Sequence, residues 1–363
     1  MVILSSVSAI LGLATTLLLL AVGFVRSRMG HAAPRWVRRA LLWGALSVPF
    51  HAVVIVPAGL AYLVTGRVGT RSSERDYDGP WIRSDGVWEM RGRAGPQHAE
   101  PRPERQVALR SADGTPLRAF VIEPRGGDTP VATAILVHGL FRGAQELEPV
   151  GDMFRDAGCE VVLLEYRNHG GSGRATPTFG IREAEDVLAA VDFVRARGVA
   201  AAARPLILFG VSLGTAAVGL AAPRVRDLGG VVVDAPLSNA FATAERLLAG
   251  SGRRPPGFQF PWPFGAMLLH WIGVFTGQDL ASIQPGDALR QLGADVPVLV
   301  IGGGLDGRMP PDEVTALYES LPKAGSRKEL WILPDADHGD VWKEDPEGYR
   351  QRLRAFVARV VGG

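Results

Sequence analysis

The sequence predicts an α/β domain at residues 105–363, an eight-stranded, mostly parallel sheet with helices on both faces, behind one or two membrane-spanning helices within residues 1–66. Three observations predict it. From about residue 105, short strands that are apolar throughout alternate with amphipathic helical stretches, a pattern that needs a sheet covered on both sides. No charged residue occurs between Met1 and Val25. The chain has 363 residues, enough for one large domain or two ordinary ones, and 39 Lys+Arg against 37 Asp+Glu leave a net charge of +2. That balance excludes a nucleic-acid binder working through an overall basic field. The single cysteine, Cys159, excludes an internal disulfide framework and any multi-thiolate metal site.

Residues 2–25 read as a membrane anchor, since 24 helical residues reach about 36 Å and a hydrocarbon core is ~30 Å thick. A cleaved signal peptide fits less well, because no Lys or Arg precedes Arg26. A second uncharged stretch, 40–64, carries Pro49, Pro57 and His51, with Trp43 and Tyr62 near its ends. Its prolines remove backbone donors, so it reads either as a kinked span or as a re-entrant segment. Arg26, Arg28, Arg35, Arg38 and Arg39 lie between the two stretches with no acidic residue. A short basic loop prefers the cytoplasmic side, which puts the large domain on the extracytoplasmic side. Residues 67–104, rich in Arg, Gly and Pro with no sustained period, read as a linker.

Within the large domain, Val107–Arg110 and Leu117–Ile122 flank the turn signal Ser111-Ala112-Asp113-Gly114-Thr115, which predicts a hairpin. Six strand cores follow at 133–137, 160–164, 206–209, 230–234, 296–301 and 329–333, with helical patterns between them, for example 183–197 and 311–321. Between the fourth and fifth of these cores, residues 236–295 form a cap insertion rich in aromatic and apolar residues, which suits an acyl chain or equally an ordinary buried core. In open sheets of this kind the working residues collect at the carboxyl ends of the strands. There the sequence reads His138-Gly139-Leu140, Tyr166-Arg167-Asn168-His169, Gly210-Val211-Ser212-Leu213-Gly214, Leu305-Asp306 and Asp337-His338.

A G-x-S-x-G run alone is weak evidence. Here a strand enters Ser212 and a helix leaves it, while Gly210 and Gly214 permit the sharp turn that exposes the hydroxyl. Asp306 and His338 follow in chain order, each after a different strand. Asp312 reads as a helix-start residue instead, and Asp335 and Asp337 as turn residues. His138 reads as shaping its turn, His169 as stabilising a loop, and Cys159 as buried and inert.

On these motifs the region 105–363 resembles the alpha/beta-hydrolase superfamily, most nearly the serine-hydrolase branch of esterases, monoacylglycerol lipases and serine aminopeptidase-like proteins. The resemblance implies Ser212 as nucleophile, Asp306 as acid and His338 as base. It also implies an oxyanion hole made by the backbone N–H groups of Leu140 and Leu213. Two positions depart from the common pattern: Gly302 where His is frequent and Glu165 where Asp is frequent. The expected activity is cleavage of a carboxylic ester, lipid-derived or a thioester, by a membrane-anchored enzyme whose partners are a small-molecule substrate and the membrane. This chemistry needs no cofactor and no metal. An aminopeptidase-like hydrolase would need an acidic recess for the substrate amine, and the cap offers no Glu/Asp cluster. A non-catalytic binding protein on the same fold predicts loss of at least one of the three groups, and all three are present.

Overall fold

The computed structural model describes residues 106–140, 142–248, 263–322 and 327–362. Nearer the N-terminus it describes residues 50–62, 82–84 and 87–89, with Arg35, Arg39, Trp43 and Thr65 singly. The expected anchor at 2–25 lies outside the described residues. Of the stretch 40–64, a π-helical turn, His51–Ile55, runs into helix α1, Val56–Tyr62. No helix among the described residues is long and apolar enough to cross a membrane.

The strands β1 (Ile82–Ser84) and β2 (Val87–Glu89) pair antiparallel inside the stretch expected to be an unpatterned linker. At three residues each they are too short to show a period in the sequence. The hairpin strands β3 (Gln106–Arg110) and β4 (Pro116–Ile122) come next. Asp113 shapes their turn by accepting the backbone N–H and the hydroxyl of Thr115 at 3.1 and 2.7 Å. The remainder alternates: β5 (Ala132–Val137), α2 (Glu148–Asp156), β6 (Cys159–Glu165), α3 (Ile181–Ala196), β7 (Leu206–Val211), α4 (Leu213–Ala221) and β8 (Leu228–Asp234). Then follow α5 (Ala240–Leu248), α6 (Phe264–Thr276), α7 (Pro285–Leu289), β9 (Val298–Gly303), α8 (Pro311–Ser320), β10 (Lys328–Leu333) and α9 (Pro346–Val361).

Eight strands form one sheet in the order β10-β9-β8-β7-β5-β6-β4-β3. The β3–β4 and β4–β6 pairs are antiparallel and the others parallel. Every residue of β5, β6, β7 and β9 is buried, as strands covered on both faces require. The helices begin where local donors find acceptors. At α3 the Glu183 carboxylate accepts the N–H groups of Gly180 and Thr178, both at 2.9 Å. At α9 the Asp345 side chain accepts the Gly348 N–H at 2.8 Å ahead of Pro346.

From β5 the chain winds to β6 on one side of the sheet, then returns and winds the other way through β7, β8, β9 and β10. The reversal opens a crevice between the carboxyl ends of β5 and β7, the place where doubly wound sheets hold their ligands.

The chain divides into two compact units. One comprises residues 68–257 and 279–363 and holds the whole eight-stranded sheet. The other gathers residues 1–67 with 258–278. Within residues 236–295, α5 and α7 fall in the sheet unit and α6 in the other. Inside that second unit the Phe275 ring meets Tyr62 edge-on at 5.7 Å and stacks on Trp271 at 5.6 Å.

Candidate active site

The turn between β7 and α4 holds Ser212 at φ 53 and ψ −124, a conformation that costs a residue with a Cβ about 1–3 kcal/mol. Backbone bonds hold it there. The Ser212 N–H donates to the Asp234 carbonyl at 2.9 Å, and the Ser212 carbonyl accepts the Thr215 N–H at 2.9 Å. The two glycines of the motif are required by close approach. A Cβ on Gly214 would stand 2.3 Å from the Val137 carbonyl oxygen, and one on Gly210 would stand 2.7 Å from the Gly214 oxygen. The helix can therefore press against the end of β5, and the serine projects at the crevice.

Two loops from neighbouring strands reach the same point. Asp306 follows β9, and its Oδ1 accepts the N–H groups of Arg308 and Met309 at 2.8 and 3.0 Å. His338 follows β10. The loops are stitched together where Gly304 N–H meets the Leu333 carbonyl at 2.8 Å and Leu305 N–H meets that of Ala336 at 2.9 Å. Asp306 Oδ2 lies 2.7 Å from His338 Nδ1, and His338 Nε2 lies 2.8 Å from Ser212 Oγ. A carboxylate only accepts, so Nδ1 carries the ring proton and bare Nε2 faces the serine hydroxyl, which donates to it. The structure thus brings together Ser212, Asp306 and His338, whose positions span 126 residues of chain. It leaves Asp337 bonded to the backbone N–H of His338 at 2.7 Å and Asp312 in the first turn of α8. Such an array can pull a proton from a hydroxyl and return it to a leaving group.

The alpha/beta hydrolase family model matches residues 134–352, more than half of the chain. The chain belongs to the alpha/beta hydrolase family. It is 25% identical over 251 residues to the uncharacterized protein YqkD of Bacillus subtilis, covering 68% of this chain and 77% of that one. It is 26% identical over 207 residues to the uncharacterized membrane protein YNL320W of Saccharomyces cerevisiae, covering 56% and 62% respectively. The solved Pyrococcus furiosus esterase Pf2001 aligns with a TM-score of 0.57 at 22% identity, over 71% of this chain and 92% of that one. At that identity the likeness shows a shared fold.

This hydrolase keeps two further histidines beside the crevice. His138 and His169 are buried, and their rings flank Tyr166 at 4.4 and 4.3 Å. Burial lowers the pKa of His169 to about 4. Burial, the nearby His169 and the Arg142 charge hold His138 well below its ordinary value. Both rings are therefore neutral near pH 7. His138 Nδ1–H and Tyr166 O–H both donate to the Gly139 carbonyl, at 2.7 and 3.2 Å. Gly139 itself lies against the serine, since a Cβ there would stand 3.3 Å from Ser212 Cβ. The sequence marks His138 as shaping its turn and Tyr166 as the residue directly after β6, but gives neither a hold on the Gly139 carbonyl. Among the described residues no cluster of three or more His, Cys, Asp or Glu side chains is arranged to hold a metal ion.

Asp234, at the carboxyl end of β8, also escaped the sequence reading. Tyr349 O–H donates to its Oδ2 at 2.9 Å, while its buried Oδ1 has no hydrogen-bond partner among the described residues. Burial pushes its pKa up from 3.8 to about 7; Asp306 and Asp340 add to the rise, and Tyr349 and the Ala235 N–H oppose it. The folded state therefore holds a proton that the unfolded chain has already lost between pH 3.8 and about 7. This group's contribution to stability is complete below that window and falls as pH rises through it. Asp234→Asn keeps an acceptor for Tyr349 and removes the titration. Melting temperatures across pH 4 to 7.5 should shift steadily in the variant's favour relative to the native chain, and a constant difference would refute the assignment.

Proposed function

We propose that this hydrolase cleaves carboxylic esters through an acyl-serine intermediate, with Ser212 as nucleophile, His338 as proton carrier and Asp306 as the acid that orients it. The observation that carries this reading is the unbroken relay from Asp306 Oδ2 through the imidazole to Ser212 Oγ, with both links below 3 Å. Ser212 Oγ attacks the ester carbonyl while Nε2 accepts its proton. The imidazolium, held by Asp306, gives that proton to the leaving alkoxide. Water then repeats the attack on the acyl-serine, releasing the acid and restoring the hydroxyl.

The tetrahedral oxygen is held by the N–H groups of Leu213 and Leu140. Leu213 opens α4, where unpaired N–H groups and the helix dipole favour negative charge. For Leu140 the support is the rigidity of the peptide unit. Its N–H and the Gly139 C=O are the two ends of one planar trans peptide and point in opposite directions. His138 and Tyr166 grip the carbonyl end, which sets the direction of the other.

The Pyrococcus furiosus neighbour is an esterase, which supports an ester as substrate. The charge-free run Met1–Val25 supports a membrane anchor, with 40–64 as a second membrane segment, and the relative YNL320W is described as a membrane protein. The basic residues Arg26–Arg39 stay on the cytoplasmic side and the hydrolase domain on the other.

A fluorophosphonate probe tests the chemistry, because it reacts with activated serines. The native chain should label, and Ser212→Ala and His338→Ala should not. Labelling that survives Ser212→Ala overturns the nucleophile. A p-nitrophenyl ester series of increasing acyl length then ranks the acyl groups accepted.

A further inference from the structure

Helix α6 has a surface that the hydrolytic machinery does not use. Its residues, Phe264–Thr276, include no Asp, Glu, Lys or Arg. A helix that is apolar all round belongs in a protein core or in lipid. A core accounts for one side only, where Leu268, Leu269 and Ile272 are buried. Ala266, His270 and Val274, at intervals of four, form an exposed stripe along the other side, with Val274 53% exposed. The C-terminal helix α9 shows what this chain puts on a helix face that meets water: its exposed positions include Glu347, Gln351 and Arg354. No such residue occurs on α6. The compact unit containing α6 also exposes Trp43, Phe50 and Val56, and in the sequence these follow the charge-free run Met1–Val25.

From this we propose that α6 is a second membrane contact of the hydrolase, seated in the interfacial layer of the bilayer with its Ala266–His270–Val274 stripe toward the acyl chains. The inference rests on the anchor reading above and extends it. At ~1.5 Å per residue, α6 is about 20 Å long, too short to cross a core of ~30 Å, so it lies within one leaflet. The sheet unit is then tied to the bilayer at two places in the chain, before residue 68 and through 258–278. Its substrates are amphiphilic esters that partition into that bilayer.

The test uses the full chain in phosphatidylcholine nanodiscs, with a cysteine introduced at one position and labelled with an environment-sensitive fluorophore. Cys159 does not compete, because it is buried and its thiol is pushed up to about 12. Val274→Cys and Ala266→Cys report on α6, Leu18→Cys on the anchor, and Val199→Cys, 87% exposed, on water. The α6 and Leu18 probes should lose most of their emission to doxyl-labelled lipid and little to aqueous iodide, with Val199 the reverse. Iodide quenching at both α6 positions, with Leu18 still quenched by lipid, overturns the inference and spares the anchor. Iodide quenching at all positions overturns both. Protection of the α6 probes from both quenchers, with crosslinks between chains, means a second copy covers the stripe and also overturns it.

Discussion

Asp306→Asn is expected to lower kcat for a p-nitrophenyl ester by about 10⁴-fold with little change in KM, about 5–6 kcal/mol of transition-state stabilisation. The reason lies in how the carboxylate is held. Its Oδ1 accepts two backbone N–H groups, from Arg308 and Met309, so the single oxygen of an Asn side chain must occupy that site. The amide nitrogen then takes the place of Oδ2, 2.7 Å from His338 Nδ1. An NH₂ group donates where the carboxylate accepted, which moves the imidazole proton to Nε2. That proton faces Ser212 Oγ at 2.8 Å, and the base has lost the lone pair it needs. Nitrogen NMR of the His338 ring should report the exchanged tautomer directly. Asp337→Asn is the matched control: Asp337 accepts the His338 backbone N–H, and its loss should cost less than tenfold. An Asp306→Asn enzyme within tenfold of native would remove Asp306 from the mechanism.

The sequence made Ser212, Asp306 and His338 legible because each follows a strand whose burial writes itself as an apolar run, and the carboxyl ends of such strands share one edge of the sheet. Strand limits came within about two residues for the same reason. Chain order and residue type suffice to choose Asp306 over Asp312, because the helix start at Pro311 is itself readable. The grip of Tyr166 and His138 on the Gly139 carbonyl was not readable, since it depends on which way two buried side chains turn. Asp234 and its Tyr349 partner are 115 positions apart, and no spacing rule links β8 to the C-terminal helix.

The largest effect on stability is expected at Arg167, the first charged residue after β6 to be wholly enclosed. Its guanidinium is buried with Asp186 in a two-pronged pair, Nε to Oδ2 at 2.9 Å and Nη2 to Oδ1 at 2.6 Å. Nη1 reaches Asp113 Oδ2 at 2.8 Å and Nη2 reaches Ser111 Oγ at 2.9 Å. One side chain thereby joins the β3–β4 turn, the loop after β6 and helix α3. Arg167→Leu removes every one of these donors and leaves Asp186 enclosed with the backbone N–H of residue 167 at 2.9 Å as its remaining bond to that position. Loss of one partner from a buried pair costs about 3–5 kcal/mol, which for a domain of this size lowers the melting temperature by roughly 10 °C. Arg167→Lys should fall in between, because a single ammonium cannot fork across a carboxylate. The double change Arg167→Met with Asp186→Leu should recover much of the loss, since an apolar pair of similar volume carries no uncompensated charge. Calorimetry on the native chain and the three variants tests this, and a double variant no more stable than Arg167→Leu would show that packing, not the enclosed charge, sets the cost. The same loop leads through Tyr166 to the Gly139 carbonyl. Below its melting point the single variant should therefore lose kcat before it loses KM, as the peptide beside Ser212 loosens ahead of the sheet that supports it.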